Sequence, residues 1–247
     1  MENQFDPRPT QRTSAGVNAA SVSVPRATRD VGLRSYMLSV YNYMASGVLL
    51  TGIVAMLFAS SGYAAQVMAT PLRWLIILAP LGFVMAMSFG LNRMSTGTLQ
   101  ALFWSFAVAM GLSMSTIFLV YTGVSIGQTF FAVAAGFAGL SLWGYTTKKD
   151  LSGWGTFLIM GVVGLFVAML INLFLQSPAM MLAISAIGVL VFAGLTAYDT
   201  QRIKSMYAQV AGSDMMGKVV IMGALSLYLD FINMFMFLLR LMGSQRN

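Results

Sequence analysis

After a polar opening stretch, the chain reads as seven apolar runs, at residues 38–60, 74–91, 99–120, 125–146, 153–175, 179–198 and 219–239. Each comes close to the roughly 20 residues that an α-helix needs to cross the hydrocarbon core of a bilayer. The pattern predicts an all-α polytopic membrane protein with seven transmembrane helices. The connections are short except the last, where Asp199 to Lys218 is polar. That stretch predicts an extension of the sixth helix (DTQRIKSMY) and a break near Gly212 and Ser213.

Residues 1–35 are polar, rich in Ser, Thr, Ala and Arg, and lack apolar periodicity. They predict a disordered cytoplasmic tail, followed by a seven-helix membrane domain over 36–243 and a short C-terminal tail over 244–247. Glu2, Asp6 and Asp30 argue against a mitochondrial transit peptide, and no cleavable signal peptide is expected before the first run.

Basic residues set the expected orientation. With the N-terminus in the cytoplasm, the inner side collects Arg8, Arg12, Arg26, Arg29, Arg34, Arg93, Lys148, Lys149, Arg202, Lys204 and Lys218. The outer side keeps Arg73, Arg240 and Arg246. This asymmetry is the positive-inside signature, and seven spans then put the C-terminus outside. A re-entrant last helix is the alternative, because that run carries an acid.

Composition narrows the chemistry. Charged residues make up only 9% of the 247 positions, against about 25% in soluble domains, and the mean hydropathy is +0.79. The net charge of +7 is spent in loops and tail, so no nucleic-acid partner is expected. There is no histidine and no cysteine. Disulfides, the usual zinc sites, histidine-ligated haem and Ser-His chemistry are therefore excluded, and proton sensing falls to carboxyls. Gly111-Leu112-Ser113 resembles a rhomboid-type serine segment but lacks a base. The 21 methionines are unclustered and read as core filling. Glycine pairs at Gly47 and Gly52, Gly136 and Gly139, and Gly161 and Gly164 read as ordinary close packing of membrane helices.

One residue stands out. Asp230 lies inside the uncharged run VVIMGALSLYLDFINMFMFLL (219–239), where a carboxyl costs roughly 3 kcal/mol on insertion scales. An acid at that depth is read as functional and as facing a partner or water. Gly223, Ser226, Asp230 and Asn233 follow helical spacing and share a face, so Ser226, Asn233 and Gly223 are expected to line a pathway. Asp199 closes the preceding run, with Gly188, Phe192 and Thr196 at the same kind of spacing. Arg93, at the end of the second helix, is expected to pair with Asp199. Two close carboxylates in a low-dielectric site share a proton. Protonated, they bond to each other; ionised, they repel and attract a hard divalent cation such as calcium, which prefers oxygen ligands. Counted from the ends of the runs, however, Asp230 lies about 16 Å deeper than Asp199, and they meet only if the last helix starts recessed.

AYDTQRIK (197–204) and ALSLYLDFINMFMFLLRLMG (224–243) closely resemble the two C-terminal signatures of the Bax-inhibitor-motif family, and RSYMLSVYNYMASGVLLTGI (34–53) is similar to the first-helix entry of its bacterial branch. The resemblance covers about Arg34 to Gly243. It implies a seven-helix fold with the last helix wrapped by the other six, and a pH-sensitive calcium leak. It implies that Asp199 and Asp230 form the gating and metal-contacting pair, and that Arg93 exchanges partners with one of them. LAPLGFVMAM, ahead of Arg93, has no acid where some members carry one.

The reading is a non-enzymatic, pH-sensitive calcium leak channel of a bacterial inner membrane, with no cofactor and calcium as the transported ion. Its expected partners are the lipid bilayer, calcium and a membrane protein. A rival reading is a membrane-embedded regulator of a membrane protease or other partner protein, without transport. A third is a proton-coupled transporter.

Overall fold

The computed structural model describes residues 26–246. Among them the chain forms nine helices: α1 (Arg26–Ser60), α2 (Tyr63–Met68), α3 (Leu72–Gly90), α4 (Thr96–Met114), α5 (Ile117–Val120), α6 (Gly123–Thr146), α7 (Ser152–Leu175), α8 (Pro178–Val210) and α9 (Met215–Met242). Seven stretches are long and apolar enough to cross a membrane, α4 and α5 together making one of them. Each coincides with one of the apolar runs.

Local chemistry explains the breaks. Ser95, Thr122 and Ser177 accept hydrogen bonds from the backbone N–H groups of Thr98, Ser125 and Met180, capping α4, α6 and α8. Pro178 opens α8 at a position where a missing N–H costs nothing. The α8–α9 turn passes through Gly212 at φ 75°, a left-handed conformation that glycine adopts without penalty. The break falls where Gly212 and Ser213 predicted it.

The N-terminal end departs from the sequence expectation. The helix starts at Arg26, inside the segment assigned to the tail, because polar residues continue a helix beyond the apolar stretch; residues 1–25 lie outside the described part. The short C-terminal tail is hydrogen-bonded to the bundle. Thr122 N donates to Ser244 O at 3.1 Å, Arg246 N donates to Val120 O at 2.8 Å and Ser244 N donates to Ser125 Oγ at 2.9 Å, which pins it beside the start of α6.

α9 is the axis of the bundle. In its most apolar window 72% of residues are buried, against 11–39% in the other spans. It packs on α8, α1, α6 and α4. The remaining long helices form two arcs around it, α3–α4–α1 and α6–α8–α7. The arcs barely meet each other: α1 makes almost no contact with α6, nor α3 with α7. Two seams therefore run along the bundle, each looking onto α9.

Buried polar bonds and close backbone contacts hold each arc to the axis. Thr51 Oγ1 donates to Ala107 O at 2.8 Å and meets Tyr228 Oη at 2.7 Å. A hydroxyl has one proton, so Tyr228 is the donor in that second bond. The chain joins α1, α4 and α9 in mid-bundle. Phe106 meets the Tyr228 ring edge-on at 5.0 Å, a favoured aromatic geometry. At Gly144 a Cβ would strike the Ala197 carbonyl, so α6 and α8 touch backbone to backbone. Of the glycine pairs read from sequence, Gly52, Gly136, Gly139 and Gly164 face open space, and only Gly47 and Gly161 are crowded.

Candidate functional site

The site is built by the antiparallel α8–α9 pair. Its register is fixed by two contacts in which a side chain covers a glycine: Phe237 over Gly188, and Ile203 over Gly223. Interpolating along the helices places Asp199 level with Ser226, and Asp230 level with Leu195 and Thr196. The two acids are thus offset by about one turn, roughly 5–6 Å along the axis. The larger offset counted from the apolar runs disappears because α8 continues to Val210 and α9 begins at Met215. The helix pair turns well beyond the last apolar residue of the sixth run.

Asp230 is 4% exposed, and its Oδ2 has no hydrogen-bond partner. Asp199 is half-buried and close enough for its charge to act on Asp230. Around them lies a small polar layer. Thr196 Oγ1 donates to Phe192 O at 2.8 Å; Thr200 Oγ1 contacts both Thr196 O, at 2.8 Å, and Ser141 Oγ on α6, at 3.2 Å. Threonine hydroxyls bonded to their own helix keep this layer soluble in an apolar interior. Ser141 and Thr200 were not among the residues singled out from sequence. Isolated hydroxyls in membrane helices are too common to signal a site, and only the parallel contact of α6 with α8 brings these two together.

The face predicted to line a pathway divides in two. Met222, Ser226, Leu229, Asn233 and Met236 form the half-buried stripe of α9, ending at exposed Arg240. Asn233 lines a 460 Å³ cavity in the α3–α7 seam with Ser113, Thr116 and Arg240. Its amide nitrogen donates to Leu229 O at 2.8 Å, leaving its oxygen as an acceptor. Gly223 is different: it is buried, and a Cβ there would lie 3.3 Å from Ile203. It is a packing contact with α8 rather than a pathway residue. Asp230 lies on the border between the stripe and the α8-facing side.

A second cavity, also 460 Å³, opens in the α1–α6 seam near the opposite end, lined by Arg34, Met37, Tyr41, Phe137, Ser141 and Tyr145. One cavity therefore reaches Ser141 and Phe137, the latter packed on Phe231, and the other reaches Asn233 and Leu229, so both come to the level of Asp230 from different seams.

Arg93 does not join this group. It is exposed in the turn after α3, where its N–H bonds Gly90 O at 2.9 Å. That turn is tied to the start of α9, since Lys218 Nζ donates to Leu91 O at 3.2 Å. Lys218 precedes the level of Asp199 by about eight residues of α9, roughly 12 Å, which exceeds the reach of an arginine side chain. The expected Arg93–Asp199 pair does not form; Arg202, one turn along α8, is near enough for its charge to act on Asp199. Among the described residues no group of three or more acidic side chains could hold a metal ion, so the two aspartates stand as a pair.

Comparison with known proteins gives the same frame. Residues 33–247 match the family described as inhibitor of apoptosis-promoting Bax1. A Rickettsia prowazekii protein is 48% identical, aligned over 89% of this chain and 94% of its own. The inner membrane protein YbhL of Escherichia coli is 45% identical over 92% of this chain and 97% of its own. A membrane protein of Streptococcus pyogenes is 36% identical over 87% and 94%.

Proposed function

The chain belongs to the Bax inhibitor-1 family of multi-pass inner-membrane proteins, and from that premise we propose that it is a calcium leak channel opened and closed by protonation of the Asp199–Asp230 pair. The observation that carries this reading is the unpartnered Oδ2 of Asp230, buried one turn from Asp199 between two cavities that approach from opposite ends. The basic end of the bundle, with Arg34, Arg93, Lys148 and Lys218, faces the cytoplasm.

The gate works through charge. With a proton shared between the two carboxyls, one donates to the other and α8 stays against α9. With both ionised, two negative charges in a low-dielectric layer repel, and the layer parts or takes up a cation. Two carboxylates with a few hydroxyl and amide oxygens offer calcium fewer strong ligands than a storage site would. A weak site suits conduction, since an ion must leave as readily as it enters. Ser226, level with Asp199, and Asn233, beyond Asp230, supply further oxygens.

The test is passive calcium flux into liposomes holding the purified protein, across a pH series. Wild-type flux should rise with pH, and Asp230→Asn should abolish that response. Saturable exchange of protons for another substrate would point to a transporter. Absence of flux from folded protein would leave the protein as a regulator acting through partner contacts.

A further inference from the structure

On the flank away from both seams, α6, α7 and the middle of α8 enclose an apolar groove of 280 Å³, lined by Leu140, Trp143, Trp154, Leu158 and Ala193 among others. It runs into a polar cavity of the same 280 Å³ at the basic end, where Lys148, Lys149 and Arg202 converge with Ser152 and Ser205. The two share Lys149 and Tyr198, so they adjoin. We infer that together they form a binding site for an anionic phospholipid, with an acyl chain in the groove and the phosphate among Lys148, Lys149 and Arg202.

Three features favour that occupant. The groove lies between membrane-spanning segments, so the fluid that fills it is lipid. Trp143 and Trp154, both largely exposed, flank it, and tryptophan collects at the level of lipid headgroups. The cavity above has an excess of positive charge: three cations against one carboxylate, Asp150. Basic pockets between membrane helices bind acidic headgroups.

The pocket is also pre-shaped. Gln201 on α8 accepts from Leu151 N at 2.8 Å and donates to Lys149 O at 2.8 Å, clamping the α6–α7 loop. Tyr198 packs over Gly155, closing α7 onto α8. The start of α7 meets the same cavity at Ser152, and a helix start favours negative charge. Asp150 occupies part of that position, accepting from Ser152 N at 2.9 Å, and so competes with an incoming phosphate. Asp199, beside Arg202, is the other acid close by.

The full-length protein in detergent is incubated with dioleoyl-phosphatidylglycerol or dioleoyl-phosphatidylcholine, and retained lipid is counted by native mass spectrometry. Phosphatidylglycerol should be held more tightly by an order of magnitude, and Arg202→Gln should weaken it roughly fivefold, as expected for each cation lost near an anionic headgroup. The triple change Lys148→Gln, Lys149→Gln, Arg202→Gln should remove the preference. Asp150→Asn keeps the cap on Ser152 but drops the competing charge, so it should retain phosphatidylglycerol more strongly, a gain that misfolding cannot mimic. Equal retention of the two lipids, or no response to Arg202→Gln and Asp150→Asn, would overturn the inference. Displacement of the lipid by millimolar glycerol phosphate or inorganic phosphate would also overturn it, by showing a phosphate pocket in which the groove has no part.

Discussion

Ile203 covers Gly223 so closely that a Cβ on the glycine would lie 3.3 Å from three of its carbons, and that contact sets Asp199 one turn from Asp230. A side chain at 223 must push α8 and α9 apart or shift their register. Gly223→Leu should therefore lower stability by about 1–3 kcal/mol, the usual cost of overpacking, read as a lower melting temperature in detergent. It should also disturb the pH response, since the acids no longer face each other as before. A melting temperature equal to wild type would show that the helix pair is looser here than the structure has it.

Asp230 separates stability from function. Its Oδ2 has no partner, and an unsatisfied buried polar atom costs about 1–3 kcal/mol, which a leucine removes; where the pair shares a proton, that gain is offset by the lost bond to Asp199. At a pH where the pair is ionised, Asp230→Leu should melt at or above the wild-type temperature while losing pH-dependent flux. Loss of the folded protein would instead make Asp230 a structural polar contact, and the gate would have to be sought elsewhere.

The chain made the spans and the last turn legible because apolar run length and Gly212-Ser213 are local signals. It made Asp230 legible because a carboxyl in an uncharged helix is costly wherever the helix lies. Register was not legible: Phe237 over Gly188 and Ile203 over Gly223 are contacts between residues far apart in the chain, and depth counted from apolar ends misplaced Asp199 by two turns. The same blindness assigned Gly223 to a pathway and paired Arg93 with Asp199. The two-arc arrangement, with seams exposing α9, follows from which helices pack together, and nothing in composition announces it.

Tyr228 and Thr51 give a test of the axis. Tyr228→Phe removes one donor but leaves Thr51 bonded to Ala107 O, so it should cost only about 0.6 kcal/mol, the mean for interhelical bonds in membranes. Thr51→Val strands the buried Tyr228 hydroxyl and should cost more, about 1–3 kcal/mol. The double variant should be no worse than Thr51→Val alone, because both changes break one interaction. Additive losses in thermal unfolding would mean that the two hydroxyls are not bonded.

Asp150 is the control for proton sensing. The Ser152 side chain and backbone N–H hold its carboxyl below the ordinary aspartate range, and it is fully exposed. A group depressed in the folded state stabilises above its unfolded value and loses that effect as pH falls through the folded one. Its contribution is therefore complete throughout the neutral range and fades only in strong acid. Asp150→Asn should leave the flux midpoint unchanged, and a carbon-13 titration of the Asp150 carboxyl should show a midpoint under the usual value. A flux midpoint that moved with this substitution would place proton sensing in the α6–α7 loop.

The basic ends can be located directly. A reporter fused near Lys149 should read as cytoplasmic and one after Asn247 as external, because α9 runs unbroken from Met215 to Met242. If both report cytoplasm, α9 does not span the membrane and cannot be the central helix of a seven-span bundle.

Arg202 and Arg93 make opposing predictions about the gate. Arg202 is one turn from Asp199 and acts on its charge, whereas Arg93 is exposed beside the start of α9, out of reach. A cation beside a carboxylate favours the ionised form. Arg202→Gln removes that support, so the open, ionised pair should form only at higher pH and the flux midpoint should rise. Arg93→Ala should leave the midpoint in place. In a double-mutant cycle, Asp199→Asn should cancel the effect of Arg202→Gln, since the two residues act through one interaction. The reverse pattern, with Arg93 coupled to Asp199 and Arg202 independent of it, would require α3 to slide by about two turns toward the acid layer during gating.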